Sequence, residues 1–384
     1  MIDPYRALTG VPAGARPPKL TVTDIEWCRD LVTGRRGYSW NFVDGCEWAS
    51  PGCDNCYAKD IATRFAGGPV FPNGFDLTLH VERLAAPLYQ RRGARIFVNS
   101  MSDVGLSGIP VDLLARAFAV MALAHWHTFL IASKRPGVLR SRLSRPDFVA
   151  AVRAHVAAVD PDHAVQWPLP NVHVGVSVED QAHAWRVLEL LHVPAAVHWV
   201  SAEPLIGPLN LRAVRRRRDN LLVDCLAGEV RDPTGAEVVA ALPAALRWVV
   251  IGGESGHRRG VRPMHPAWVD TILADCAALD VAAFFKQWGV HGLTPAGTGA
   301  ADSARDRRTT RLVALDGRWC TGVEWARAAT HPTKVSDAVR ELWNDHHGAD
   351  STTQVRPMYR VGRQEAGRLV RGQLVEAYPE ARHG

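Results

Sequence analysis

The chain has 384 residues, 47% of them hydrophobic, with a net charge of +6 and a pI near 9.1. That is enough chain for one large domain or two ordinary ones, and no run of about 18 apolar residues is present to cross a membrane. The mild basicity permits an anionic partner such as nucleic acid without requiring one.

In chain order, residues 1–20 lack the apolar stretch of a signal peptide and read as a flexible, Pro/Gly-rich arm. Without a secretory leader, the thiols point to a cytoplasmic protein and to metal or redox chemistry rather than disulfides. Residues 40–43 predict a first strand, which leads into the stretch Gly45-Cys46-Glu47-Trp48-Ala49-Ser50-Pro51-Gly52-Cys53-Asp54-Asn55-Cys56-Tyr57, and residues 58–65 predict a helix. Further strands are predicted at 95–99, 128–132, 171–176, 197–200, 247–251 and 281–285, with helices at 111–125, 182–191 and 266–279. β-Branched and aromatic runs alternating with helices predict a parallel sheet buried on both faces.

Polar residues gather just after each predicted strand, which in a β/α barrel is the face where active sites form. A doubly wound sheet places its ligands at a switch point instead. With no chain reversal evident, the expected fold is α/β: a partial (β/α) barrel with parallel strands and outer helices over residues 21–292, plus a small C-terminal extension over 293–384. Two insertions interrupt it, near 143–170 (with a helix at 149–157) and 211–242. The second carries Arg215 to Arg218, which reads as a solvated loop or a phosphate contact, and a turn at Asp232-Pro233-Thr234-Gly235. In the extension, 293–308 reads as a loop, 310–319 as a hairpin around Asp316-Gly317, and 334–343 and 364–369 as helices.

Cys46, Cys53 and Cys56 are spaced C-x6-C-x2-C. Thiolates are soft ligands that suit zinc, copper(I) or iron–sulfur clusters. The two-residue gap lets two sulfurs reach one metal or two corners of one cluster, and Pro51-Gly52 can turn Cys46 back toward them. Three sulfurs leave two readings open. One is a cluster with an iron free for a reacting ligand. The other is a structural zinc site whose fourth ligand lies elsewhere, Cys28 among the candidates. Cys28, Cys225, Cys276 and Cys320 have no paired spacing and read as buried thiols. Following the first strand, the cysteine loop lands on the same face as Asn99, Ser102, Asp103, Lys134, Ser177, Glu179, Glu203, Glu254, Lys286 and Gln287. The plainer reading of Glu203 and Glu254 is that they begin the following segments; that of Lys286 is a solvated cation.

A three-cysteine loop after the first strand of a partial barrel resembles the radical S-adenosylmethionine (SAM) superfamily. More closely, Trp40-Asn41, the loop from Gly45 to Ala58, Ser177-Val178-Glu179-Asp180, Ile251-Gly252-Gly253-Glu254-Ser255-Gly256 and Phe285-Lys286-Gln287-Trp288-Gly289 resemble the phage gene-product thirty-seven/sixty-eight family, found in phages and bacteria and of undefined function. Met358-Tyr359-Arg360-Val361-Gly362-Arg363 and Ala366-Gly367-Arg368-Leu369 resemble its C-terminal signature, so that the motifs span about residues 21 to 375. The loop departs from the superfamily's usual C-x3-C-x2-C, and Asn55 stands where an aromatic residue usually precedes the last cysteine. Gly252-Gly253-Glu254 follows the sixth strand rather than the second, so the superfamily's SAM-amino role does not transfer to it.

The resemblance implies that Cys46, Cys53 and Cys56 hold three irons of a [4Fe–4S] cluster whose fourth iron binds SAM. Cleavage of SAM then yields a 5′-deoxyadenosyl radical that takes hydrogen from a substrate. Asn99, Ser102, Asp103, Ser177 and Glu179 are the expected SAM contacts; Glu203, Glu254, Lys286 and Gln287 are the expected substrate contacts. The substrate is open, with nucleic acid or a nucleobase as the leading class. An electron donor is required, a partner protein is allowed and a membrane is not expected. The rival reading is a zinc-stabilised, non-catalytic nucleic-acid-binding or accessory protein of phage type.

Overall fold

A computed structural model describes residues 3–11, 18–256, 260–293, 310–347, 354–361 and 363–379. Eight strands form the central sheet: Thr21–Val22 (β1), Tyr38–Trp40 (β2), Arg95–Val98 (β3), Thr128–Ser133 (β4), Val172–Ser177 (β5), Val197–Ala202 (β6), Leu246–Gly252 (β7) and Ala282–Gln287 (β8). β1 runs antiparallel to β2, and every later neighbour is parallel. Spatial order equals chain order, so there is no switch point of the doubly wound kind. The sheet is not a closed barrel either, because β1 and β8 are its two edges rather than partners. The expected architecture therefore stands as an α/β fold with a large, mostly parallel sheet.

The crossovers carry Tyr57–Arg64 (α1), Val111–Leu123 (α2), Pro136–Leu143 (α3), Pro146–Ala157 (α4), Trp185–Leu190 (α5) and Pro266–Ala278 (α6). Between β6 and β7 the insertion folds instead as a four-stranded antiparallel sheet, with strands Val214–Arg215, Leu222–Asp224, Glu229–Arg231 and Val238–Ala241. The turn at residues 232–235 links its third and fourth strands, with Gly235 N donating to Asp232 O at 3.0 Å. Much of the four-arginine run is spent locally: Arg215 donates to Asn220 at 2.8 Å, and Arg216 and Arg218 pair with Asp219 at 2.8 and 3.5 Å.

Period-two alternation divides the core into two layers. Ile96, Val98, Phe129, Ile131, Val200, Val249, Ile251 and Phe285 pack with Leu113, Phe118, Val187 and Ile272 of the helices. Their neighbours Leu130, Trp199, Trp248, Val250 and Phe284 form a second cluster around Trp27 and Cys28, with Phe97 packed against it. The Trp27 ring lies 4.7 Å from Phe97, 5.4 Å from Trp199 and 6.1 Å from Trp248. Such ring pairs contribute about 0.5–1.5 kcal/mol beyond the area they bury. Cys28, Cys225, Cys276 and Cys320 are all buried, as expected of inert thiols.

The C-terminal extension returns to the sheet. Phe285 N donates to Val375 O at 2.8 Å and Ala377 N to Ala283 O at 2.9 Å, so the last described residues pair along β8. The Tyr378 ring sits 3.6 Å beneath the Arg95 guanidinium, covering the aromatic cluster. The hairpin expected around Asp316-Gly317 forms between Thr310–Ala314 and Trp319–Thr321. The expected helices form at Asp337–His347 and Arg363–Ala366. An unforeseen helix, Gly322–Thr330, starts with a capping box made by Thr321 and Glu324. The arm contains a short helix, Pro4–Thr9, and residues 294–308 of the expected loop lie outside the described residues.

Among the histidines, the half-buried His173 and the fully buried His265 and His291 are pushed furthest toward the neutral form. Burial pushes His173 and His265 down to about 4 and His291 to about 3, with Arg95, Arg356 and the Arg311/Arg360 pair respectively acting in the same direction. The unfolded chain binds these protons near pH 6.5, so the stability these groups contribute is complete above that pH and is lost as pH falls toward 4. Melting temperature is expected to decline between pH 6.5 and 4.5, and to decline less in His291→Leu. A wild-type melting temperature that rises over that interval would contradict this.

Candidate functional site

The cysteine loop leaves the sheet earlier than the sequence predicts. Asn99 Oδ1 accepts hydrogen bonds from Phe42 N (3.1 Å) and Val43 N (3.3 Å), pulling the chain out of β2 after Trp40. At Gly45, φ is +87° and a Cβ would stand 2.2 Å from Asp76 O, so only glycine fits. Ser102 Oγ donates to Gly45 O at 2.6 Å, fastening the loop to the residues after β3. Pro51–Cys53 then makes a 3-10 turn, and Cys56 is the N-cap of α1.

Two cations at the end of β4 face two of the thiols. Lys134 Nζ donates to Cys53 Sγ at 3.6 Å and to Ser50 Oγ at 3.3 Å, and lies 3.6 Å from Glu179 Oε1. Arg135 Nη1 donates to Cys46 Sγ at 3.8 Å and to Asp103 Oδ2 at 3.0 Å, while its Nη2 donates to Glu47 O at 2.9 Å. Lys134 comes so close that a Cβ on Gly52 would meet its Nζ at 2.7 Å. Burial pushes the Cys46 thiol up to about 11; Asp103 adds to this and Arg135 opposes it. Cys46 is thus a protonated thiol at neutral pH, whose proton a metal would displace.

Beneath Lys134, Glu179 is fully buried and accepts from Arg186 Nη1 at 2.8 Å. Burial alone would raise its carboxyl, but Lys134 and Arg186 outweigh that, and its pKa lies below the ordinary carboxylate value. On the other side of the loop, Arg262 reaches back from the segment after β7. Its guanidinium binds both oxygens of Glu254, donates to Pro51 O at 2.8 Å and lies 3.4 Å from Asp54 Oδ2. Asp54 also accepts from Trp48 Nε1 at 2.9 Å, and Trp48 is 65% exposed at the rim.

Of the strand-end residues expected here, Ser102, Lys134, Asp103 (through Arg135), Glu179 (through Lys134) and Glu254 (through Arg262) converge on the loop. Asn99 shapes its entry. Ser177 offers its carbonyl to Arg186 Nη1 at 2.9 Å. Further along the sheet, Glu203 forms an ion pair with Lys286. Gln287 donates to Gly253 O at 3.1 Å and Ser255 Oγ at 3.2 Å and accepts from Gly289 N, bracing the Gly-Gly-Glu turn. Arg135, Arg186, Arg262 and Ser50 were not foreseen. Arg135 was in principle legible, as the next residue after Lys134 at a strand end; Arg262 was not, since it stands beyond the Gly-Gly-Glu turn, where nothing local marks it as turning back toward the loop.

Three thiols on one loop are the available soft donors. Among the described residues, no group of three or more His, Cys, Asp or Glu side chains is arranged to hold a metal ion, and no helix is long and apolar enough to cross a membrane. The family model described as "Protein of unknown function (DUF5131)" matches residues 22–379. No curated protein and no solved structure matches the chain.

Proposed function

We propose that this chain, which belongs to the DUF5131 family of proteins of unknown function, is a radical SAM-like iron–sulfur protein built on a partial β/α barrel. The observation that carries the reading is one loop with three cysteines at the C-terminal edge of a progressively ordered parallel sheet, fastened there by Lys134, Arg135 and Arg262. A cluster asks for a different arrangement from a single ion. Each thiolate bonds its own iron, so the sulfurs occupy separate corners rather than closing on one point. A closed zinc site, by contrast, needs four ligands around one ion.

Cys46, Cys53 and Cys56 would hold the cluster, leaving one iron for SAM. When bound, the cluster and SAM supply one-electron cleavage to methionine and a hydrogen-abstracting 5′-deoxyadenosyl radical. The chain's own part is to bind, orient and exclude water. Arg135 and Lys134 stabilise the thiolates left when the metal displaces their protons. Ser102, Asp103, Ser177 and Glu179 form the SAM side of the site, while Asn99 acts by shaping the loop. The Glu203–Lys286 pair and Glu254 form the substrate side, which Gln287 braces. A nucleic-acid or nucleobase substrate suits the net charge of +6. The reaction requires an electron donor, and a cytoplasmic location suits an oxygen-sensitive centre.

Anaerobic purification with iron, sulfide and zinc analysis tests this, followed by dithionite, SAM and an assay for 5′-deoxyadenosine. About four irons per chain, lost in the Cys46/Cys53/Cys56 triple Ala variant, with 5′-deoxyadenosine formed, is the expected result. Stoichiometric zinc with no cluster after reconstitution would replace this reading with the zinc-stabilised binding protein.

A further inference from the structure

We propose that Lys134 and Arg135 set the reduction potential of the centre held by the cysteine loop, each by placing a fixed cation on one ligand sulfur. The inference rests on the iron–sulfur reading above and concerns how that site is tuned. It starts from a pairing: Lys134 donates to Cys53 Sγ at 3.6 Å, and Arg135 to Cys46 Sγ at 3.8 Å. Consecutive residues on a strand point to opposite faces. These two reach the same loop because β4 has ended at Ser133, and Pro136 opens α3 immediately afterwards. The third sulfur has a counterpart as well, since Cys56 caps the eight-residue helix α1, whose N-terminus carries partial positive charge.

Both cations are held in place. The Lys134 side chain is 15% exposed, between Ser50 and the buried Glu179; that of Arg135 is 18% exposed and tied to Asp103 and the Glu47 carbonyl. Charges so shielded from water are weakly screened. Reduction adds one electron from the donor to the cluster and makes it more negative by one charge. A cation on a ligand sulfur stabilises that reduced state more than the oxidised one, and therefore raises the potential. Asp103 opposes Arg135 at Cys46, so removing Arg135 leaves the Asp103 carboxylate facing that sulfur alone.

The test is an anaerobic redox titration of the reconstituted full-length protein, followed by electron paramagnetic resonance. In Lys134→Met and in Arg135→Gln the ratio of reduced to oxidised cluster at a fixed potential is expected to fall about tenfold, equal to about 59 mV for a one-electron couple. Lys134→Arg, which keeps the charge, is expected to stay near wild type. An unchanged ratio in both charge-removing variants overturns the inference. So does equal loss of cluster from Lys134→Arg and Lys134→Met, because shape rather than charge would then be what matters. Cluster lost in Lys134→Met and retained in Lys134→Arg would make Lys134 a support of the cluster rather than a tuner of its potential, and Arg135→Gln then decides: a lowered ratio there supports the inference and an unchanged one overturns it. Failure of the wild-type protein to take up iron is seen before any titration, and it overturns the iron–sulfur reading itself.

Discussion

Replacing Glu179 by Ala is expected to destabilise the protein by about 3–5 kcal/mol, because it removes one partner of a buried ion pair and strands the other. Arg186 is 2% exposed, and Glu179 is its hydrogen-bonded carboxylate at 2.8 Å. Lys134, 3.6 Å from the other Glu179 oxygen, loses its counter-charge in the same step. A loss of that size is a large part of the total stability of a typical domain, about 5–15 kcal/mol. Glu179→Ala combined with Arg186→Met is expected to recover part of the deficit, since the pair is coupled and its joint removal leaves only Lys134, 15% exposed, without its carboxylate. Urea denaturation at pH 7.5 measures both. A cost below about 1 kcal/mol for the single variant would mean that the buried pair is not the support described here. Glu179→Gln keeps the shape and separates stability from the SAM contact proposed for this residue: an unchanged SAM affinity in the folded variant would make the carboxylate structural only.

What was legible in the sequence follows from the range of each interaction. The seven parallel strands were readable because β-branched and aromatic residues alternate locally along them, and because polar residues mark where each stops. The end of β2 was misplaced by a tertiary contact: Asn99, from the next strand, takes the amides of Phe42 and Val43. The sheet at 211–242 was hidden because its strands are two to four residues long and its arginines resemble a solvated loop. Pairing of residues 375–377 with β8 joins distant parts of the chain, which no local pattern announces. The candidate site divides in the same way. Its cysteines and strand-end carboxylates could be named from position, whereas selecting Arg135 and Arg262 among 45 Lys and Arg residues needs the partners that the fold supplies.

Arg262→Met should loosen the cysteine loop more than it loosens the fold. Arg262 joins the segment after β7 to a loop more than two hundred residues earlier, through Pro51 O at 2.8 Å and Asp54. Its loss leaves Glu254, 3% exposed, with a buried carboxylate and no guanidinium. Because the Arg262 side chain retains 16% exposure, the cost is set at about 2–3 kcal/mol, below the 3–5 kcal/mol of a fully buried pair. Adding Glu254→Gln neutralises the stranded charge and is expected to bring stability back to within about 1 kcal/mol of wild type. It cannot restore the donor to Pro51 O. Hydrogen exchange across residues 46–56 should therefore remain faster in the double variant than in the wild type, and, on the iron–sulfur reading proposed above, iron retention lower, even where the melting temperature is regained. Recovery of all three together would reduce Arg262 to a charge partner of Glu254. Recovery of stability alone would identify it as the residue that holds the three cysteines in register with the sheet.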